Sequence, residues 1–242
     1  MADGTNERTD FSIGGNELYA LSALESAESH LAASAKASGK GDECRTPFAA
    51  SFSAFLDWGE KASLIRPIED FDFFQRNPDG HGDEHQAWFD EFSGRWYKST
   101  YPNRFGLAWG RNGSATAGEY LTRLVLQNRY FADDIQLLSL VRCDEKLRVL
   151  TTQPHVPGEA ALAAEIQGWF YAQGYKRLEI DNCVAWYRDL DNLLVADAHE
   201  GNVIRTPDGT LFAIDLNLIK PRGETLETLL SLLPFTHPSI SK

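Results

Sequence analysis

Between Val195 and Asp215 the sequence turns back on itself around Asp208-Gly209, and that turn dictates which residues can lie side by side. Asp-Gly between apolar flanks is a strong signal for a short hairpin. Pairing outward sets Pro207 against Thr210, Ile204 against Ala213 and Asn202 against Asp215. Directly opposed residues of an antiparallel pair have Cα atoms about 4.5–5.5 Å apart. Local turn chemistry thus brings an amide oxygen beside a carboxylate, and a register shift of one would keep them neighbours. Two oxygen donors without cysteine or a histidine cluster suit a hard cation such as magnesium, which keeps waters and takes phosphate oxygens. Asp197 precedes Asn202 by five residues, across a loop containing Gly201. A carboxylate there can take a proton from a hydroxyl while a cation neutralises phosphate charge. Structural alternatives stay open for each residue: Asn202 as a satisfied turn amide, Asp197 with His199 as a carboxylate–imidazole pair.

The rest of the chain alternates helices with hairpins. Asn16 to Ser38 carries a weak helical stripe of Leu18, Leu21, Leu24 and Ala27 that fades at Ser38-Gly39-Lys40-Gly41. Thr46-Pro47 then opens a second helix, with Phe48, Phe52, Phe55 and Leu56 on one face and Gly59 as its expected stop. Short aromatic strands are expected over Gln86–Asp90 and Arg95–Thr100, joined by Glu91-Phe92-Ser93-Gly94. In the second of them Trp96, Lys98 and Thr100 share a face. Lysine on a half-buried face either snorkels to water or has a partner. Thr116–Phe131 is expected to be helical, with Glu119 in its first turn, where a carboxylate suits the helix dipole. Strands follow around Ile135–Arg142 and Leu147–Gln153. After Pro154 and Pro157-Gly158 come a helix over Glu159–Gln173, further short strands and a closing helix over Glu224–Leu233. Hairpins with segregated helices mean an α+β fold. The Pro/Gly crossover near 154–158 divides it into two lobes, and a cleft between lobes is a common ligand site. The expected organisation is an accessory arm over 1–45, a helix plus small strand region over 46–153, and a second region carrying the Asp197–Asp215 loop over 154–242.

Composition bounds the partners. Thirty-five acidic against 23 basic residues give a net charge of −12, which leaves no cationic excess for nonspecific nucleic-acid binding or for an anionic membrane surface. No apolar run approaches the ~20 residues of a membrane span. MADGTNERTD has no apolar segment of a signal peptide. Cys44, Cys143 and Cys183 lie far apart, as free thiols of a reducing, cytoplasmic compartment would. His81 and His85 are four residues apart, a zinc spacing on a helix, but Gly80 and Gly82 argue against a helix there.

Asp-x-His-x-x-Asn, then a hairpin, then Ile214-Asp215 resembles the catalytic core of the protein-kinase-like fold, most nearly the bacterial and phage kinase-like domains of polyvalent proteins and more distantly the aminoglycoside phosphotransferase type. The resemblance covers about residues 79–220. It implies a truncated two-lobed kinase-like fold with a helical N-terminal extension and a reduced C-lobe. It implies ATP and Mg2+ as cofactors and phosphoryl transfer to a hydroxyl acceptor whose identity the residues do not reveal. Asp197 would be the catalytic aspartate, and Asn202 and Asp215 the magnesium ligands. Lys98 would reach the α- and β-phosphates, with Glu119 as its ion-pair partner. Gly80-His81-Gly82-Asp83-Glu84-His85 would cover the phosphates. Gln153-Pro154-His155-Val156 would form the hinge whose backbone bonds adenine. The chain departs from the family pattern in Val195-Ala196 before Asp197, where His-Arg is usual, and in Leu216-Asn217 after Asp215, where Phe-Gly is usual. These departures suit an alternative, a catalytically weak or inactive nucleotide-binding pseudokinase or partner-binding module.

Overall fold

A computed structural model describes residues 17–37, 48–106, 114–180 and 183–232. The expected cap Thr46-Pro47 and Cys44 lie outside the described residues. Helices α1 (Glu17–Ala37) and α2 (Phe48–Lys61) lead into β1 (Ile65–Pro67) and two 3₁₀ turns, Ile68–Asp70 and Asp72–Gln75. Then come β2 (Gly80–His81), β3 (His85–Asp90), β4 (Arg95–Thr100), α3 (Ala117–Phe131), β5 (Gln136–Cys143) and β6 (Lys146–Pro154). The six strands form one sheet in the order β1-β5-β6-β4-β3-β2, with only β1 and β5 parallel. Hairpin connections make neighbours of β3 and β4 and of β5 and β6, as the turn residues between them predict.

Strand alternation gives this sheet two different faces. Trp88 and Tyr97 are cross-strand partners on one face, where Phe73 packs 5.2 Å and 5.4 Å from their rings. His85, Lys98 and Thr151 lie on the other face, beneath α3. The core there joins Leu24, Ala27 and Leu31 of α1, Phe55 and Trp58 of α2, Leu121 and Leu124 of α3, and Leu140 and Val149 of the sheet. Thus the described part of the expected accessory arm packs into this core. His85 is buried on α3, its Nε2 3.0 Å from the Tyr120 hydroxyl.

Beyond β6 lie β7 (Glu159–Ala160), α4 (Ala163–Ala172), β8 (Lys176–Ile180), β9 (Cys183–Arg188), β10 (Leu193–Ala196), β11 (Val203–Arg205), β12 (Leu211–Ala213), β13 (Asn217–Ile219) and α5 (Gly223–Leu232). They form a four-stranded sheet, β13-β10-β9-β8, and a three-stranded one, β12-β11-β7. The mixture of helices with largely antiparallel sheets agrees with an α+β class. A second core gathers Ile166 and Phe170 of α4, Trp186, Val195, Val203, Leu216 and Leu218 around Leu126 of α3. Two expected boundaries move. The helix expected from Glu159 begins at Ala163, because Glu159 and Ala160 pair with Arg205 and Ile204 as a strand. Gly59 does not end α2, which runs on to Lys61. It is the point where the helix touches the sheet, and a Cβ there would lie 2.4 Å from Leu140 Cδ1.

Gly59→Ala should therefore lower stability by about 1–3 kcal/mol through overpacking, even though alanine favours helix by about 1 kcal/mol. A urea midpoint equal to that of the wild type would show that Leu140 yields without cost. His85 supplies a second test. Burial lowers its pKa from 6.5 to about 4, against the pull of Asp215, so the unfolded chain takes up this proton first. Wild-type stability should fall as the pH drops from 6.5 to 4, by at most about 3 kcal/mol from this group. His85→Gln should lack that loss. Unfolding curves of the two proteins across this window should converge toward low pH, whereas parallel curves would contradict a buried neutral imidazole.

Candidate functional site

The β11–β12 hairpin holds the first half of the site. Its observed register is Val203 opposite Ala213 and Arg205 opposite Leu211, one residue from the expected pairing. The loop has three residues rather than two. Gly209 adopts a left-handed φ of +85°, Thr206 N–H donates to Thr210 O, and Asp208 Oδ1 accepts from Thr210 N–H. Such a loop adds one residue to the turn and shifts the ladder accordingly. The convergence survives the shift. Ile214 N–H donates to Asn202 O at 2.8 Å, and Asn202 Nδ2 donates to Asp215 O at 3.2 Å.

The same amide nitrogen donates to Asp197 O at 2.9 Å and to its Oδ2 at 3.1 Å. Carbonyl oxygens only accept, so these contacts fix which end of the amide is nitrogen. Asn202 Oδ1 is left with no protein donor among the described residues. Asp197 follows β10 and Asp215 follows β12, each with a left-handed φ, +63° and +62°. His199 closes the loop: its Nδ1 accepts from Gly201 N–H at 3.0 Å and its Nε2 lies 3.4 Å from Asp197 Oδ1. Burial pushes the Asp197 carboxyl above its ordinary value, and Asp215 and Glu84 add to this, while His199 opposes it.

Lys98 arrives from the six-stranded sheet. Its Nζ is 3.5 Å from Asp215 Oδ2, with the lysine side chain 18% and the aspartate 39% exposed. The ammonium holds the Asp215 carboxyl well below the usual carboxylate range, against burial, with His85 and Arg123 helping. Lys98, Asn202, Asp197 and Asp215 are thereby brought together. Glu119 is not brought to Lys98. It occupies the third position of α3, where its Oε2 accepts from Thr116 N–H at 2.8 Å and Thr116 Oγ1 accepts from Glu119 N–H at 3.2 Å, a reciprocal capping box. Gln153 lies on the Lys98 face of β6, but its Nε2 donates to Asp133 Oδ2. His155 N–H donates to Gly94 O at 2.9 Å, and its ring accepts from Trp96 Nε1 at 3.1 Å. One of the expected hinge amides is thus already bonded within the protein.

Arg123 and Asp133 carry no role in the sequence pattern, and Glu84 enters it only within the segment expected to cover phosphates. Glu84 and Arg123 form a buried, two-pronged ion pair, Nη1 to Oε1 at 2.9 Å and Nη2 to Oε2. Arg123 sits one turn after Tyr120, inside the apolar stripe of α3, and a cation in that stripe was the available signal. Its partner lies 39 residues away, in the glycine segment expected to cover phosphates. Asp133 follows α3 and accepts from Gln127 Nε2 at 3.4 Å as well as from Gln153. Burial raises its pKa to about 6, with Lys98 and the glutamine donors holding it down.

Chemically, the site sets the carboxylates of Asp197 and Asp215 beside one ammonium, Lys98, with the Glu84–Arg123 ion pair close enough to act on them. No group of three or more His, Cys, Asp or Glu side chains among the described residues is arranged to hold a metal unaided. An ionised Asp215 carboxylate and the undonated Asn202 oxygen nevertheless fit a magnesium ion that takes its remaining ligands from phosphate and water.

Residues 110–219 match the family model described as Serine/Threonine/Tyrosine Kinase found in polyvalent proteins. The matched stretch takes in α3, Asp197, Asn202 and Asp215, ends at β13, and leaves Lys98 outside. No curated protein and no solved structure matches the chain. Among the described residues no helix is long and apolar enough to cross a membrane. The match, lying over Asp197, Asn202 and Asp215, supports a kinase-like family of polyvalent proteins for residues 110–219.

Proposed function

We propose that the protein binds ATP with Mg2+ and transfers the γ-phosphoryl group to a hydroxyl acceptor. The observation that carries this reading is the orientation of Asn202. Its nitrogen ties Asp197 to the backbone carbonyl of Asp215 and leaves its oxygen with no protein donor among the described residues. Asn202 and Asp215 would hold the cation, which when bound would neutralise charge on the phosphates. Lys98, at present on Asp215, would turn its ammonium to phosphate oxygens. Asp197 would orient the acceptor hydroxyl and receive its proton, and the upward push on its pKa suits a base.

A second reading, nucleotide binding without transfer, is favoured by the state of the Asp197 carboxylate. One oxygen accepts from Asn202 and the other faces His199, so part of its accepting capacity is already taken within the protein.

Two measurements separate the readings. In an ATP titration followed by thermal shift, wild type should be stabilised more with magnesium than without. Asp215→Ala should lose the magnesium increment, about a tenfold weakening of affinity or more. No stabilisation of wild type under either condition would end the nucleotide reading. In a transfer or slow-hydrolysis assay Asp197→Asn should reduce turnover by about 10²-fold or more with ATP affinity retained. Equal turnover in both proteins would remove the catalytic assignment, and binding without turnover in wild type would select the second reading.

A further inference from the structure

Gln127 is buried on α3, with 1% of its surface exposed, and its amide nitrogen reaches in two directions. Nε2 donates to Ala213 O at 3.0 Å and to Asp133 Oδ2 at 3.4 Å. Asp133 Oδ2 accepts in turn from Gln153 Nε2. Gln153 is the cross-strand partner of Trp96, two residues before Lys98 on β4, and Ala213 stands two residues before Asp215. A hydrogen-bonded chain thus runs from the strand beside Lys98, through α3, to the strand that leads into Asp215.

The geometry of β12 explains why that strand needs a side-chain anchor. It is the edge of its three-stranded sheet, with β11 as its one neighbour among the described strands. Ile214 N–H donates to Asn202 O, so by the alternation of an antiparallel pair the backbone groups of Ala213, opposite Val203, point away from β11. The Gln127 amide stands where a further strand would. Both partners of Nε2 are acceptors, which fixes the orientation of the amide, and Oε1 is buried with no donor among the described residues. A buried unpaired acceptor costs free energy, so part of what the nitrogen contributes to stability is lost at the oxygen. Under the proposed function, on which this inference rests, Lys98 leaves Asp215 for phosphate, and the direct contact between sheet and strand is given up. We infer that Gln127 is a positioning residue: it holds the edge strand on α3, so that Asp215 and, across the hairpin, Asn202 keep their places as cation ligands when Lys98 turns away.

Gln127→Met tests this, because methionine is close to glutamine in length and volume and lacks the amide. The first readout needs no nucleotide. Amide hydrogen exchange of the full chain, read by mass spectrometry on peptides covering Leu211–Ile219, should be about fivefold faster in the variant, as a local opening that has lost one hydrogen bond would be. Peptides of α2 and β5 should match the wild type. Unchanged exchange over Leu211–Ile219 overturns the inference whatever happens with ATP. The second readout is ATP affinity with and without magnesium. Affinity with magnesium should weaken about tenfold, the usual effect of losing a group that orients a metal ligand, while affinity without magnesium stays within about twofold of wild type. A merely structural role gives no such split, and equal magnesium increments in the two proteins overturn the inference. Gln127→Asn keeps a buried amide that is one methylene shorter. Should Gln127→Met fail to fold, Gln127→Asn must show both changes, and their absence overturns the inference. Should wild type gain nothing from ATP under either condition while the exchange difference persists, the nucleotide reading fails and the anchoring of the Asp215 strand by Gln127 stands.

Discussion

Helix α3 contributes Leu121 and Leu124 to one core and Leu126 to the other, with Tyr130 and Phe131 packed against the second at its end. It also packs against β13, beside the Asp215 segment. A helix buried on two sides has little freedom to rotate or slide, because each core is close-packed. The sheet bearing Lys98 and the hairpin bearing Asn202 and Asp215 are both referred to this one helix. The Lys98–Asp215 contact follows from that arrangement rather than producing it. A partly exposed ion pair contributes only about 0–1 kcal/mol, far less than the two cores it spans.

The polar groups on α3 follow the same division of labour. Toward the six-stranded sheet it presents Tyr120 and Arg123, which meet His85 and Glu84. Toward the hairpin it presents Gln127, which donates to Ala213 O. The helix therefore offers the site a cation and an amide, where the family resemblance implied a glutamate. The carboxylates come from loops instead, Glu84 from before β3 and Asp133 from after α3. In a chain of net charge −12, Lys98 and Arg123 each answer one carboxylate, Asp215 and Glu84.

What the sequence made legible was local. The Asp208-Gly209 turn, the hairpin around Glu91–Gly94, the helix from Thr116 and the convergence of Asn202 with Asp215 all rest on residues close in the chain. Errors arose where a distant partner decides. Glu159 pairs with Arg205 and so cannot join the helix that its neighbours favour. Gly59 reads as a stop, yet its function is contact with Leu140, 81 residues on. Glu119 is the exception, a local one: the resemblance implies a pair with Lys98, but the capping box claims it through Thr116, three positions away. Glu84 with Arg123 and Asp133 with Gln153 carry no periodic signal at all, because their pairing depends on the sheet order. The hairpin register slipped by one because turn length depends on how Gly209 closes it, and Asp-Gly accommodates more than one closure.

Asp197 and Asp215 share one more property, a left-handed backbone at the ends of two separate strands. Left-handed geometry costs an L-residue roughly 1–2 kcal/mol, less for aspartate, and glycine almost nothing. At both positions the residue best for the chemistry is therefore not the residue best for the backbone. Under the proposed function, a descendant released from phosphate chemistry could drift to glycine at either place and become sturdier as it fell silent, so loss of activity there need not announce itself as loss of fold.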